Sequence, residues 1–300
     1  MKLSLTLLAA AALLAAPAQA KLNVVTTTQD PAALVRAIGG DRVDVKALCK
    51  GYQDPHFLDA KPTFMVALNR ADLFVVVGLE LEIGYAPSLI TGSHSEKIAP
   101  GQPGYLDLSQ FIQPLEVVPV ADRGQGDIHP NGNPHYWLDP ENGRLMARGI
   151  SARLGELDPS GKEAYAKNLA AFEQALTAKE ADWAARMKPL EGQPLITFHK
   201  SWSYFAKRYH LEEVGTIEPK PGIPPTAQHT LEVIKLVGQR KVKIMLMENF
   251  YDRRMADLIA SKTAAKVVQV PNSVGGEESV KTYFDLFDRI VGSIETALRG

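Results

Sequence analysis

Glu163-Ala-Tyr-Ala-Lys-Asn-Leu169-Ala-Ala-Phe172-Glu-Gln-Ala-Leu176-Thr-Ala-Lys-Glu-Ala-Asp-Trp183-Ala-Ala-Arg-Met187 contains no glycine and no proline. It is dense in the best helix formers, and Leu169, Phe172, Leu176 and Trp183 recur at helical spacing. Asp158-Pro-Ser-Gly161 breaks the chain before it and Pro189 follows it. A helix of about 25 residues spans ~38 Å at 1.5 Å per residue. That exceeds an ordinary crossover between neighbouring strands and suits a strut between two bodies.

On both sides of this segment the texture is strand alternating with helix. Before it, Leu22–Thr28, Val43–Leu48 and the wholly apolar Leu73-Phe-Val-Val-Val77 read as strands, and Leu115–Val120 as a weaker one. Asp30-Pro31 reads as an N-cap followed by proline at the first helical position, with Gly39-Gly40 closing that helix. Pro62–Arg70 and Asn142–Leu157 also read as helices. After the segment, Pro194–Phe198, Lys243–Met247 and Lys266–Val270 read as strands, and Ala227–Gly238 and Arg254–Thr263 as helices. Glu218-Pro-Lys-Pro-Gly-Ile-Pro-Pro-Thr226 is an irregular loop. Strands alternating with helices imply parallel sheets with helical crossovers. The expected fold is α/β: two parallel-sheet lobes joined by one long rigid helix. The expected boundaries are a leader over residues 1–20, a first lobe over 21–160, the linking helix over 161–189 and a second lobe over 190–300.

The leader has the parts of a cleavable signal peptide: Met1-Lys2, an apolar run from Leu3 to Ala16, and Pro17-Ala-Gln-Ala20 as a small-x-small cleavage site. The run is short for a membrane span. No cysteine stands at the cleavage point, so an exported protein without a lipid anchor is expected. The charges, 33 Lys and Arg against 34 Asp and Glu, give no sign of a nucleic-acid partner. The single cysteine, Cys49, cannot form an internal disulfide and reads as a small buried hydrophobe.

Three histidines stand at strand exits or in loops: His56 in Tyr52-Gln-Asp-Pro-His56, His135 in Asn133-Pro-His135-Tyr-Trp-Leu-Asp139, and His199 in Leu195-Ile-Thr-Phe-His199. Ligands of open α/β sheets bind beyond the carboxyl ends of the strands. The first two histidines belong to the first lobe and the third to the second, so they are expected to meet in the cleft between lobes. Three neutral imidazoles suit a borderline metal such as zinc.

In Asp54-Pro-His56, Pro134-His-Tyr-Trp-Leu-Asp-Pro140 and Phe198-His-Lys-Ser-Trp-Ser-Tyr-Phe205, with the proline-rich loop at 218–226 and Met247-Glu248 to Arg254, the chain resembles the ZnuA/TroA-type zinc- and manganese-binding receptors of ABC importers. The resemblance runs along nearly the whole chain after the leader. It implies a periplasmic receptor that hands its metal to an ABC permease in the inner membrane and catalyses nothing. A monomer is expected, with a periplasmic metal donor as a further candidate partner.

The resemblance also implies a fourth ligand, an aspartate after the last strand. Here Val270-Pro-Asn272-Ser-Val-Gly275 places Asn272 there, a neutral and weaker donor. Candidates for the fourth position are water, Asn272 and Glu248, with Glu248 also readable as a carboxylate that orients a histidine. Relatives that carry manganese usually have a carboxylate where His199 stands, so zinc is the expected cargo and manganese the alternative. The segment Asp122-Arg-Gly-Gln-Gly-Asp127-Ile-His129 stands where zinc receptors of this type often carry a longer His- and Asp-rich loop. Asp127 and His129 are therefore candidates for an accessory metal role. His94 and His210 read as bystanders. The rival class is a zinc hydrolase, because a water on a three-histidine zinc is acidified. The chain has no His-Glu-x-x-His helix, nucleophile motif or phosphate loop to support it.

Overall fold

The apolar runs around residues 22–107 assemble one sheet and those around 194–270 a second. The computed structural model describes residues 21–118, 126 and 129–299. In the first sheet, β1 (Leu22–Thr26), β2 (Val43–Ala47), β3 (Leu73–Val76) and β4 (Tyr105–Asp107) lie in the order β2-β1-β3-β4, all parallel. The crossovers carry α1 (Gln29–Gly39), α2 (Pro62–Asn69) and α3 (Ala86–Ser93). Two antiparallel helices follow, α4 (Pro140–Leu157) and α5 (Lys162–Met187). The second sheet contains β5 (Pro194–Thr197), β6 (Glu212–Thr216), β7 (Ile244–Glu248) and β8 (Lys266–Val270) in the order β6-β5-β7-β8, again parallel. Its helices are α6 (Ser203–Arg208), α7 (Ala227–Arg240), α8 (Arg254–Ser261) and the closing α9 (Tyr283–Arg299). The two sheets repeat one topology, and each reverses its strand order beside its first strand.

Alternation along the strands divides the interior. Leu73, Val75 and Val77 face one core while Phe74 and Val76 face another; Ile244 and Leu246 likewise point away from Met245 and Met247. The first members of each set belong to a single continuous core that draws on both lobes. It holds Val75 and Leu34 from the first lobe, Met146 from α4, Leu176 and Trp183 from α5, and Leu246 and Phe287 from the second. Trp183 packs on Phe287 with ring centroids 5.0 Å apart and donates through Nε1 to Asp288 Oδ1 at 2.8 Å. Thus α5 is strut and shared core wall at once. No helix among the described residues is long and apolar enough to cross a membrane.

Two local expectations fail. Leu115–Val118 is not a strand, and Pro119 and Val120 lie outside the described residues. The Leu115 N–H donates to the Tyr204 hydroxyl and its carbonyl accepts from Asn133, so this backbone is satisfied by loops instead of a ladder. The fourth strand is Tyr105–Asp107, whose three residues are too few to show a period. Asp30 is not an N-cap either. Thr28 takes that position, and Asp30 lies in the first turn with its carboxylate turned to the other lobe. There it accepts from Ser273 Oγ at 2.5 Å and from the Val274 N–H at 3.0 Å. The helix does end where the paired glycines predict, with Gly40 at φ 53°.

Candidate metal centre

Two of the three histidines are built by the same Asx-Pro-His pattern. In Asp54-Pro55-His56, Asp54 Oδ1 accepts from the His56 backbone N–H at 3.0 Å and meets its ring Nδ1 at 2.7 Å. In Asn133-Pro134-His135, Asn133 Oδ1 accepts from the His135 N–H at 2.9 Å and meets Nδ1 at 2.9 Å. The intervening proline stiffens each turn, and the short Asx side chain reaches two residues on. His199, just beyond β5, is held from further away: its Nδ1 lies 2.7 Å from Glu218 Oε2 in the proline-rich loop, where Gly222 N–H donates to the same oxygen at 3.1 Å. Carboxylate and amide oxygens only accept, so in all three rings Nδ1 carries the proton and Nε2 keeps its lone pair.

These elements bring the three rings together. Centroid distances are 5.2 Å for His56–His135, 5.2 Å for His56–His199 and 5.3 Å for His135–His199. One donor atom from each lies within 4.8 Å of the others, a group able to hold a metal ion. His135 and His199 are buried and His56 partly so. A cavity of about 240 Å³ adjoins them, lined by His129, His135, His199, Glu116 and Glu218 among others. Burial, reinforced by His56 and His199, pushes His135 well below the usual histidine range, so it stays neutral. Burial alone would raise the Asp54 carboxyl; its hydrogen bonds and attraction to His56 outweigh that and hold it low.

The lobes are stitched across this cluster. The Tyr251 hydroxyl donates to Asp54 Oδ2 at 3.1 Å, and Asn133 Nδ2 donates to the Lys200 carbonyl at 2.7 Å. The Tyr204 hydroxyl donates to the Asn133 carbonyl at 2.8 Å, and Trp137 Nε1 to the Asn272 carbonyl at 2.7 Å.

The remaining candidates have other surroundings. Glu248, fully buried at the end of β7, accepts from Ser201 Oγ at 2.5 Å through Oε1, while Oε2 has no partner. Burial lifts its carboxyl to about 8, and the charges of Glu218 and Asp54 add to this. Asn272 is buried with Oδ1 unpartnered, in a small cavity shared with Thr28, Asp30, Cys49 and Trp137. Cys49 is buried and free, its thiol pushed up to about 12 chiefly by burial. Asp127 lies outside the described residues. His129 stands against the cluster, its ring centroid 5.3 Å from that of His56. His94 and His210 are exposed and remote from it. The groups that orient the rings, Asp54, Asn133 and Glu218, were the residues sequence reasoning passed over; the repeated Asx-Pro-His signature was the available signal for two of them.

The Zinc-uptake complex component A periplasmic family (ZnuA) matches residues 24–297. The metal ABC transporter substrate-binding lipoprotein SsaB of Streptococcus sanguinis is 28% identical over 312 residues, 99% of this chain and 97% of its own. The manganese ABC transporter substrate-binding lipoprotein PsaA of Streptococcus pneumoniae is 27% identical over 84% of this chain and 78% of its own. A crystal structure of ZnuA superposes with a TM-score of 0.77 at 26% identity, covering 92% of this chain and 99% of that one.

Proposed function

Because the chain belongs to the Zinc-uptake complex component A periplasmic family, metal-binding substrate-binding proteins of ABC transporters, we propose that it captures zinc in the periplasm and delivers it to an inner-membrane ABC permease and its ATPase. The observation that carries this reading is the convergence of one donor each from His56, His135 and His199 within 4.8 Å, from two lobes. Each ring has its Nδ1 occupied by Asp54, Asn133 or Glu218, which leaves three Nε2 lone pairs for one cation.

The relatives include a manganese protein, so the family leaves the cargo open and the donor set favours zinc. Imidazole suits zinc, whereas manganese prefers carboxylate and water oxygens. The nearest carboxylates, Asp54 and Glu218, face the rings' outer nitrogens. There they balance cationic charge without serving as donors. His135 is neutral before metal arrives, so no proton need leave it.

The protein acts as a monomer without catalysis, taking zinc from solution or from a periplasmic donor. SsaB and PsaA are lipoproteins. Chelator competition on the metal-stripped protein tests the cargo. Tight binding of one zinc and weak binding of manganese is expected; manganese displacing zinc at equal concentration overturns the assignment.

A further inference from the structure

We propose that Glu116 and Lys200 are positioning residues of the metal centre: together they lock the Asn133 amide, which sets the ring of His135 and its spacing from His199. This rests on the metal-receptor reading above and deepens it.

The Asn133 side chain is the hub. It is buried, and all four of its hydrogen-bonding positions are taken. Its Oδ1 serves the backbone N–H and the ring Nδ1 of His135, both at 2.9 Å. Its Nδ2 donates to Glu116 Oε2 at 3.0 Å and to the Lys200 carbonyl at 2.7 Å. Were the amide turned over, its NH2 would face the two N–H groups of His135, and its oxygen would face a carboxylate and a carbonyl. All four contacts would then be repulsive. Without an acceptor at Nδ1, the His135 proton can move to Nε2, and the lone pair that a metal needs is gone. The two acceptors on the far side of the amide therefore help hold His135 in its donor state.

A second link closes a triangle. The Lys200 ammonium meets Glu116 Oε1 at 3.2 Å and Glu213 Oε2, on β6, at 2.7 Å. Glu213 is anchored in the second lobe by Thr197 Oγ at 2.8 Å and Ser203 Oγ at 2.9 Å. Lys200, the residue after His199, thus grips the first lobe through both its carbonyl and its ammonium. Asn133 stands two residues before His135. The joint between them spaces the two rings, whose centroids lie 5.3 Å apart.

The backbone at Glu116 is strained to make this contact. Glu116 lies at φ 58°, a non-glycine residue in the left-handed region, and such strain concentrates at functional sites. Leu115 beside it is tied on both sides, to the Tyr204 hydroxyl and to the Asn133 N–H. Glu116 itself is exposed, and an exposed ion pair adds little stability. What Glu116 supplies is orientation.

Chelator competition on the full chain, with nitrogen-15 spectra of the histidine rings in the metal-free state, tests this. Glu116→Ala should weaken zinc about 10-fold, the low end for groups that hold a metal ligand in place. It should also move the His135 ring toward the Nε2–H form while His56 stays Nδ1–H. Glu116→Gln should bind nearly as wild type, because its amide oxygen still accepts from Asn133. In the Asn133→Asp background both side-chain oxygens accept, so there is no orientation to lose. Glu116→Ala should cost nothing there, since it also relieves repulsion between two carboxylates. Thermal melts check that every variant folds. Native affinity in Glu116→Ala, or a His135 ring that does not move, overturns the proposal. So does an equal loss in Glu116→Ala and Glu116→Gln, which would mean that the charge merely attracts the cation, or the same loss in the Asn133→Asp background. In those outcomes the receptor reading survives if His135→Ala still abolishes binding. A wild-type chain that binds no zinc removes both.

Discussion

The Tyr251 hydroxyl donates to Asp54 Oδ2 at 3.1 Å, so the second lobe grips the very carboxylate that orients His56 in the first. Burial, with the charges of Glu248, Asp54 and Glu218, raises the phenol far above its usual range and keeps it a donor. Asp54 is therefore clamped between a ring on its own loop and a hydroxyl across the cleft.

Asp54→Ala should weaken zinc about 10- to 100-fold, as removal of a ligand-orienting carboxylate does. Tyr251→Phe should cost less, because His56 keeps its partner. In the Asp54→Ala background the tyrosine change should add nothing, since its acceptor is gone. A double-mutant cycle by chelator competition measures this, and strictly additive losses would show that Tyr251 acts elsewhere.

Truncating His56, His135 or His199 to alanine removes a donor and should cost zinc binding heavily in each case. His94→Ala and His210→Ala, both on the exposed surface, should bind as wild type. Equilibrium dialysis with metal analysis distinguishes them. Near-native affinity in any of the first three takes that residue out of the site.

These positions show how much the sequence disclosed. The three histidines were legible because two follow proline in short turns and one ends an apolar strand. The sheets were legible where strands carry long β-branched or apolar runs, as at Leu73–Val77. The long helix was legible from its unbroken composition, whereas α9 was not read as a helix although Leu286, Phe287, Ile290, Val291 and Ile294 recur there at helical spacing. What stayed hidden depends on contacts distant in sequence. Glu218 is 19 residues from the ring it orients, and Asp30 meets Ser273 across 243 residues. A cap-like Asp-Pro pair looks the same whether its carboxylate serves its own helix or another lobe. The strand-like Leu115–Val118 instead has its backbone bonded by loops, at Tyr204, Asn133 and Pro130.

Asp30 also gives a pH signature. Burial lifts its carboxyl from the ordinary range to about 7, against the lowering hydrogen bonds from Ser273 and Val274. From about pH 4 to 7 the unfolded chain has released this proton and the folded chain holds it. The unfolded state then binds fewer protons, so this group makes stability fall as pH rises. Asp30→Asn removes that slope. Denaturant unfolding of metal-free protein should show the variant gaining on wild type by more than about 1.4 kcal/mol, one pK unit's worth, between pH 5 and pH 8. An equal gap at both pH values would mean that Asp30 is already ionised at pH 5.

Trp183→Ala should cost about 3–5 kcal/mol, the range for deleting a buried aromatic. It removes the packing on Phe287 and the hydrogen bond to Asp288, yet touches no group at the metal cluster. Thermal melts should drop while the folded protein retains its zinc affinity. Parallel loss of affinity would show that α5 sets the spacing of the rings.

The continuous core bears on how such a receptor gives up its cargo. Leu34, Trp183, Leu246 and Phe287 share one apolar interior that runs through both lobes and α5. Swinging the lobes apart would bring that interior into water at about 25 cal/mol for every Å² exposed. Wholesale opening is thus a poor exit route, which leaves the short loops that hold the rings, at Asp54–His56, Asn133–His135 and Glu218, to set the residence time. Lifetime on the protein and resistance to heat then become separable traits: substitutions in those segments retune the first, substitutions along α5 the second.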